Sequence, residues 1–187
     1  MVVSGVPLLV TERLELRVPA RADLAPMMAI VGDPATGRFL GRDSSYADHF
    51  ARFSRNAGSW LLYGYGSFML RERAGGELIG NAGVFHSFRG LGEDFDDSPE
   101  AGWILRADRV GRGLAYEAMG AALAWFEREH GRQRIVCMIA PDNAPSLALA
   151  ARLGFMRIRE AALHGEEPVS LFERLPSDGQ RPPPPPG

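Results

Sequence analysis

Apolar and polar side chains alternate around Leu14, Leu16 and Val18, with Glu15 and Arg17 between them. A period of two is that of a half-buried strand, and it predicts one strand over residues 8–18. The period then lengthens. Leu24, Met27, Met28 and Val31 recur at helical spacing between Arg21 and Val31, and Gly32-Asp33-Pro34 ends the run. Ser45-Tyr46-Ala47-Asp48 reads as a capping box ahead of Phe50 and Phe53, which predicts a second helix over about 46–56.

Strand-like runs return at 66–73 and 77–86, separated by the hairpin signal Ala74-Gly75-Gly76. Residues 87–99 form a polar connection longer than most. A strand over 100–106 leads through a glycine-arginine turn at 109–113 into a helix from Leu114 to about His130. The apolar face of that helix is Ala115, Ala118, Met119, Ala122 and Phe126. The nearly continuous apolar run 134–140 reads as a central buried strand, broken by Pro141-Asp142-Asn143. A short helix over 144–153 stops at Gly154, a residue suited to the position after a helix end. Strands over 155–162 and 169–175, joined by a turn at 164–167, make a final hairpin. Together these elements predict one α/β (α+β) domain over 1–175. The tail 176–187, with five consecutive prolines, is expected to be extended polyproline II.

Composition narrows the chemistry. The chain has 187 residues, 45% of them hydrophobic and 24% charged, an ordinary balance for a globular protein. Its single cysteine, Cys137, excludes a disulfide framework and any multi-cysteine metal site, and no metal is expected. In its buried strand, with no histidine nearby in sequence, Cys137 reads as inert core. All 21 basic residues are arginine. The absence of lysine removes a Walker A phosphate loop, a lysine Schiff base and Ser-Lys hydrolases. A net charge of -2 leaves no electrostatic footprint for nucleic acid. No apolar run has the length of a membrane span, and no secretory signal is evident, so neither a membrane nor export is expected.

The stretch from Glu100 to Phe155 carries the candidate chemistry. A strand runs into Gly111-Arg112-Gly113-Leu114-Ala115, and a long helix starts at once. The first N–H groups of a helix lack internal partners and carry partial positive charge. Glycines let the backbone approach an anion without a side chain between them, so such a turn suits a phosphate or diphosphate. A dinucleotide fingerprint fits badly, because its third glycine would fall on Tyr116. The upstream hairpins also disfavour a dinucleotide fold. A nucleotide-binding enzyme using the same turn nevertheless stays open on these residues alone.

The stretch Gly102 to Phe126 resembles the acyl-CoA diphosphate loop and following helix of the GNAT N-acetyltransferase superfamily. Pro141-Asp142-Asn143-Ala144-Pro145-Ser146 and Ala151-Arg152-Leu153-Gly154-Phe155 resemble its P-x-N-x-x-S…L-G-F segment. Thr11 to Arg17 and Gly76 to Gly83 resemble the opening and the hairpin of the RimJ/RimL-like branch. The resemblance covers roughly residues 10–175. It implies a mixed, strongly twisted sheet of six to seven strands flanked by helices and splayed between 100–106 and 134–140. It also implies a cytoplasmic enzyme that moves an acetyl group from acetyl-CoA to a primary amine, either a small molecule or a protein N-terminus, by direct attack. A homodimer is plausible on the same ground. Coenzyme A would lie against Ile104 and Leu105, on Val110, Gly111, Arg112, Gly113, Leu114, Ala115 and Tyr116, and beside Asn143 and Ser146. Arg112, or Arg109 near the loop, would add charge pairing with phosphates, and a backbone N–H at Ile104 or Leu105 would meet the thioester oxygen.

The tyrosine that many members use as general acid is replaced here by Ala150. Ser146 is the substitute that the resemblance offers. An acyl-CoA-binding regulatory module without catalysis is the alternative that this replacement motivates. Glu100 is the first candidate for general base, because it opens the strand lining the splay and shares a face with Gly102 and Ile104. His86, for its near-neutral titration, and Glu160 are further catalytic candidates. Glu93, Asp94, Asp96 and Asp97 could attract a cationic amine, and Trp60, Tyr63 and Tyr65 could wall its pocket.

Overall fold

A computed structural model describes residues 8–40, 45–163 and 167–176. The polyproline tail beyond Pro176 and most of the turn at 164–167 lie outside the described residues. The alternating segment at the start is not one strand. It is a tight hairpin of β1 (Leu9–Val10) and β2 (Leu14–Arg17). Thr11 makes the turn: its N–H donates to the Leu14 carbonyl at 2.9 Å, and its hydroxyl accepts the Leu14 N–H at 3.0 Å. A short threonine turn leaves the period-two pattern on either side intact, which is why the pattern alone reads through it.

Helix α1 (Leu24–Gly32) follows, with a single turn α2 (Pro34–Gly37) behind it. Helix α3 (Tyr46–Tyr63) starts at the capping box: Ser45 Oγ accepts the Asp48 N–H, and the Asp48 carboxylate accepts the Ser45 N–H at 2.9 Å. The helix runs two turns past its predicted end, to Gly64 in the left-handed region. Asn56, Ser59 and Trp60 interrupt the apolar spacing, yet they face inward. Asn56 Oδ1 accepts the Ser67 N–H at 2.7 Å, and the Trp60 indole donates to the Ser67 carbonyl at 3.1 Å. These inward polar groups are satisfied by the next strand, which sequence spacing does not reveal.

Strands β3 (Ser67–Glu72), β4 (Leu78–His86), β5 (Pro99–Leu105), β6 (Ile135–Ile139), β7 (Met156–Leu163) and β8 (Glu167–Arg174) complete an eight-stranded sheet in the order β1-β2-β3-β4-β5-β6-β8-β7. The eighth strand comes from the split of the first. All neighbours are antiparallel except β5 and β6.

The alternation within each strand sorts the core into two layers. Leu14, Leu16, Phe68, Leu70, Ile135 and Cys137 face α4 (Leu114–His130), which buries Ala118, Met119, Ala122 and Phe126 against them. On the opposite face Met69 and Leu78 meet Met27, Met28, Ile30 and Val31 of α1. Farther along that face Val136, Val169 and Leu171 are covered by Leu91 and Phe95 of the 87–98 connection. That connection is polar in composition but is pinned by two apolar side chains. Helix α5 (Ala144–Arg152) closes the α4 side beyond β6.

Phe126 is fully buried and meets Tyr65 edge-on at 4.9 Å. Truncating a large buried aromatic leaves a cavity, so Phe126→Ala is expected to lower unfolding stability by about 3–5 kcal/mol, as read from urea denaturation.

Candidate functional site

Strands β5 and β6 are joined at one bridging pair, Glu100 with Val136. Past it, β5 continues to Leu105 and β6 to Ile139 with no further pairing, so the sheet opens as a V toward the ends of both strands. The register of β4 with β5 decides which β5 groups face the opening. The Ile104 carbonyl points at β4, where a methyl added at Gly80 would fall 2.0 Å from it, and the Arg106 N–H donates to Ile79 at 2.8 Å. Successive residues of a strand point their main-chain groups to opposite sides. The N–H and C=O of Trp103 and Leu105 therefore face the V. Of the two expected donors, Leu105 is turned to the opening and Ile104 is turned away.

Beyond β5 the chain makes a 3₁₀ turn at Ala107–Arg109 and reaches the glycine loop. The Val110 N–H is taken by Ala107 at 3.2 Å. Gly111 and Gly113 both sit at positive φ, 80° and 76°, which glycine adopts without strain. The first internal bond of α4 runs from Glu117 N–H to Gly113 at 3.1 Å. The N–H groups of residues 111–116 have no partner among the described residues. Among the described residues, a methyl at Gly111 would meet nothing within 4 Å. These residues make an amide nest at the positive end of a 17-residue helix, a fit for a diphosphate. The Leu114 side chain is core, and Tyr116 is exposed under the Arg152 guanidinium at 4.2 Å.

The two arginines of the loop part company. Arg109 donates to Glu72 at 2.9 Å, to Glu77 at 3.3 Å and to Asp108 at 2.6 Å. Its guanidinium is held by an acidic cluster of Glu72, Glu77 and Asp108. Arg112 is more than half exposed, with its nearest carboxylate, Glu72, 3.9 Å away.

The outer side of the loop is gripped by the β1–β2 turn, which spacing in sequence gave no reason to expect. Arg13 donates from Nη1 to the Arg112 carbonyl at 2.8 Å and from Nε to Glu117 at 2.6 Å. The Arg13 N–H and the Thr11 hydroxyl donate to the other Glu117 oxygen, at 2.8 and 2.6 Å. Burial pushes the Glu117 carboxyl up, but the hydrogen bonds from Thr11 and Arg13 outweigh it, and its pKa lies below the ordinary 4.5.

On the far side of the V, Asn143 caps α5: its Oδ1 accepts the Ser146 N–H at 3.2 Å. Ser146 Oγ accepts the indole N–H of Trp103 at 3.1 Å, so one bond spans from β5 to α5. With its oxygen accepting there, the Ser146 hydroxyl keeps its own proton to donate elsewhere. Ala150, at the position of the missing tyrosine, is fully buried.

The other candidates are dispersed. Glu100 lies at the joint of the V, buried, and Arg89 holds both carboxylate oxygens at 2.8 Å while Ser87 donates to one of them. Both oxygens of this carboxylate are engaged in holding the 87–98 connection to β5. His86 projects to the α4 side, stacked on Tyr63 at 4.2 Å, with Nδ1 3.3 Å from the Tyr65 hydroxyl. Glu160 is on β7, two strands from the V, paired with Arg157 and accepting from Ser170 at 2.8 Å. Neither reaches the opening. Asp94 is bound by Arg159, and Asp96 accepts three backbone N–H groups of its own loop, so two of the four acidic residues there serve the fold. Trp60 and Tyr65 are buried in the core on the α4 side. Burial pushes the Cys137 thiol well up, as expected of an inert core cysteine. Among the described residues no His, Cys, Asp and Glu gather as metal ligands, and no helix is long and apolar enough to cross a membrane.

The profile of the acetyltransferase (GNAT) domain family matches residues 13–156. Among solved structures the chain is similar to one described as a GNAT-family acetyltransferase from Bordetella pertussis, at 38% identity, with 89% of this chain and 98% of that one covered and a TM-score of 0.79. It is also similar to an acetyltransferase from Agrobacterium tumefaciens, at 27% identity, covering 90% and 94%, with a TM-score of 0.77. A RimL ribosomal L7/L12 α-N-protein acetyltransferase, seen in complex with coenzyme A, shares the fold at 17% identity, covering 93% and 100%, with a TM-score of 0.71.

The lowered titration of Glu117 makes its contribution to stability fully present above pH 4.5 and lost as pH falls through its folded value. Urea unfolding of the wild type is therefore expected to weaken more steeply below pH 4.5 than that of Glu117→Gln.

Proposed function

The chain belongs to the acetyltransferase (GNAT) domain family, and we propose that it acetylates a primary amine by direct attack in a ternary complex with acetyl-CoA. The observation that carries this reading is the V between β5 and β6 leading straight onto the unpartnered amides of residues 111–116. Bound acetyl-CoA supplies the acetyl thioester. The loop amides would hold its diphosphate, with Arg112 adding a charge from the open side. The N–H groups of Trp103 and Leu105 are available to pantetheine and to the thioester oxygen. Holding amine and thioester together supplies several kcal/mol of the barrier reduction.

Ser146 is the proposed proton donor to the departing sulfur. Its hydroxyl is oriented by Trp103 and by the α5 N-terminus, and its proton is uncommitted. Glu100 is assigned to holding the joint of the V through Arg89 in place of accepting the amine proton. The amine is then expected to react as its free base, and the proton its nitrogen loses on forming the amide replaces, by way of solvent, the one Ser146 gives to the departing sulfur. The acceptor is a small-molecule amine in this reading, because a net charge of -2 gives the chain no overall attraction to a ribosome.

A panel of small amines and N-terminal peptides, incubated with acetyl-CoA and followed by thiol release, tests the activity. Turnover with a small amine is expected; coenzyme A binding without turnover would favour a regulatory module instead. Ser146→Ala is expected to lower kcat at least tenfold with an unchanged Kd for coenzyme A, within the range of a positioned acid. The rise of kcat/KM with pH should follow the acceptor's own ionisation and persist in Glu100→Gln. An acid limb that vanishes in that variant would return the proton-accepting role to Glu100.

A further inference from the structure

We infer that Arg13 is a positioning residue for coenzyme A: from the β1–β2 turn it orients the Arg112–Gly113 peptide so that the Gly113 N–H faces the diphosphate. The inference rests on the acetyl-CoA reading above. It starts from peptide geometry. In a trans peptide the carbonyl of one residue and the N–H of the next point in opposite directions. Arg13 Nη1 draws the Arg112 carbonyl outward at 2.8 Å, so the N–H of the same peptide is turned the other way, toward the open side of the loop. A cation on the carbonyl also polarises the peptide and makes its N–H a stronger donor.

The loop needs an external hold. Gly111 and Gly113 flank Arg112, both at positive φ, and glycine turns readily to other conformations. Among the described residues, nothing lies within 4 Å of where a side chain would start at Gly111, and at Gly113 the one neighbour beyond its own chain neighbours is Arg13 Nη2, at 3.5 Å. Arg13 in turn is fixed at two points on Glu117, by its side chain at 2.6 Å and its own N–H at 2.8 Å, and Thr11 secures the same carboxylate.

Charge adds a second reason. Glu117 sits in the first turn of α4, where a carboxylate favours the helix but repels an anion bound at the same end. Arg13 neutralises it. Losing Arg13 alone would free the Gly113 peptide and expose the Glu117 charge to the diphosphate. The side chain of Arg13 is 46% exposed, and without it Glu117 keeps the Thr11 hydroxyl and the residue-13 N–H, so its loss costs little stability. Its consequence falls on binding.

The test compares coenzyme A with a cosubstrate that lacks the diphosphate. Arg13→Met is expected to raise the Kd of coenzyme A and the KM of acetyl-CoA about tenfold, with kcat at saturation and the thermal midpoint of the unliganded protein little changed. The KM of acetyl-pantetheine should stay at the wild-type value. Arg13→Lys should not restore affinity, because an ammonium cannot bond the Arg112 carbonyl and Glu117 in the same fork. Arg13→Met combined with Glu117→Gln should recover part of the loss. A folded Arg13→Met variant binding coenzyme A within twofold of wild type would overturn the inference, as would an equal loss toward acetyl-pantetheine. No coenzyme A binding by the wild type would overturn the acetyl-CoA reading itself, and this inference with it.

Discussion

Past Glu100 and Val136 two parallel strands separate, and each then carries a row of main-chain N–H and C=O groups with no strand to meet. Unpaired groups of this kind are costly away from water, so a sheet split in its middle calls for a ligand or solvent to complete it. The rest of the site follows from where the split opens. Strand β5 feeds the glycine loop and α4, and β6 feeds Asn143 and α5. Both helices therefore begin at the mouth of the V, and their partial positive charge converges there, the arrangement that favours anionic ligands at the carboxyl ends of parallel strands.

The closed end of the V is as deliberate as the open one. Glu100 is almost fully buried, and Arg89 satisfies its charge from the 87–98 connection. That connection is itself anchored by Leu91 and Phe95 on Val136 and Leu171. A buried carboxylate left without its partner would be strongly destabilising. The pair therefore ties the joint of the strands to the loop beside it, and Asp94 and Asp96 of that loop are consumed in shaping it.

Local physics was legible wherever the signal is short-range. The Ser45-Asp48 capping box, the 66–86 hairpin, the Gly111–Leu114 helix start and the Gly154 stop all stand within a residue or two of where the chain pattern puts them. Thr11 split the first strand because a side-chain turn of four residues leaves the alternation undisturbed. Helix α3 outran its apolar pattern because Asn56 and Trp60 are satisfied by Ser67, a residue on another element.

The candidate site divides along the same line. Its main-chain part could be read from residue order, since unpaired amides at a glycine-rich helix start are a property of consecutive residues. The partners of charged side chains could not. Arg109 and Arg112 are equivalent in the sequence, yet Glu72 and Glu77 hold one at 2.9 and 3.3 Å, while the other, more than half exposed, comes only within 3.9 Å of Glu72. Glu100, His86 and Glu160 all end or line strands, yet strand order and facing put Glu100 at the joint, His86 behind the sheet and Glu160 two strands away. Arg13 and Glu117, 104 positions apart, meet only once the β1–β2 turn folds against α4. Secondary structure and the amide nest are set by neighbours along the chain. Which charges are spent and which remain free is set by contacts across it, because an ion pair acts over a few ångströms of space whatever the sequence separation.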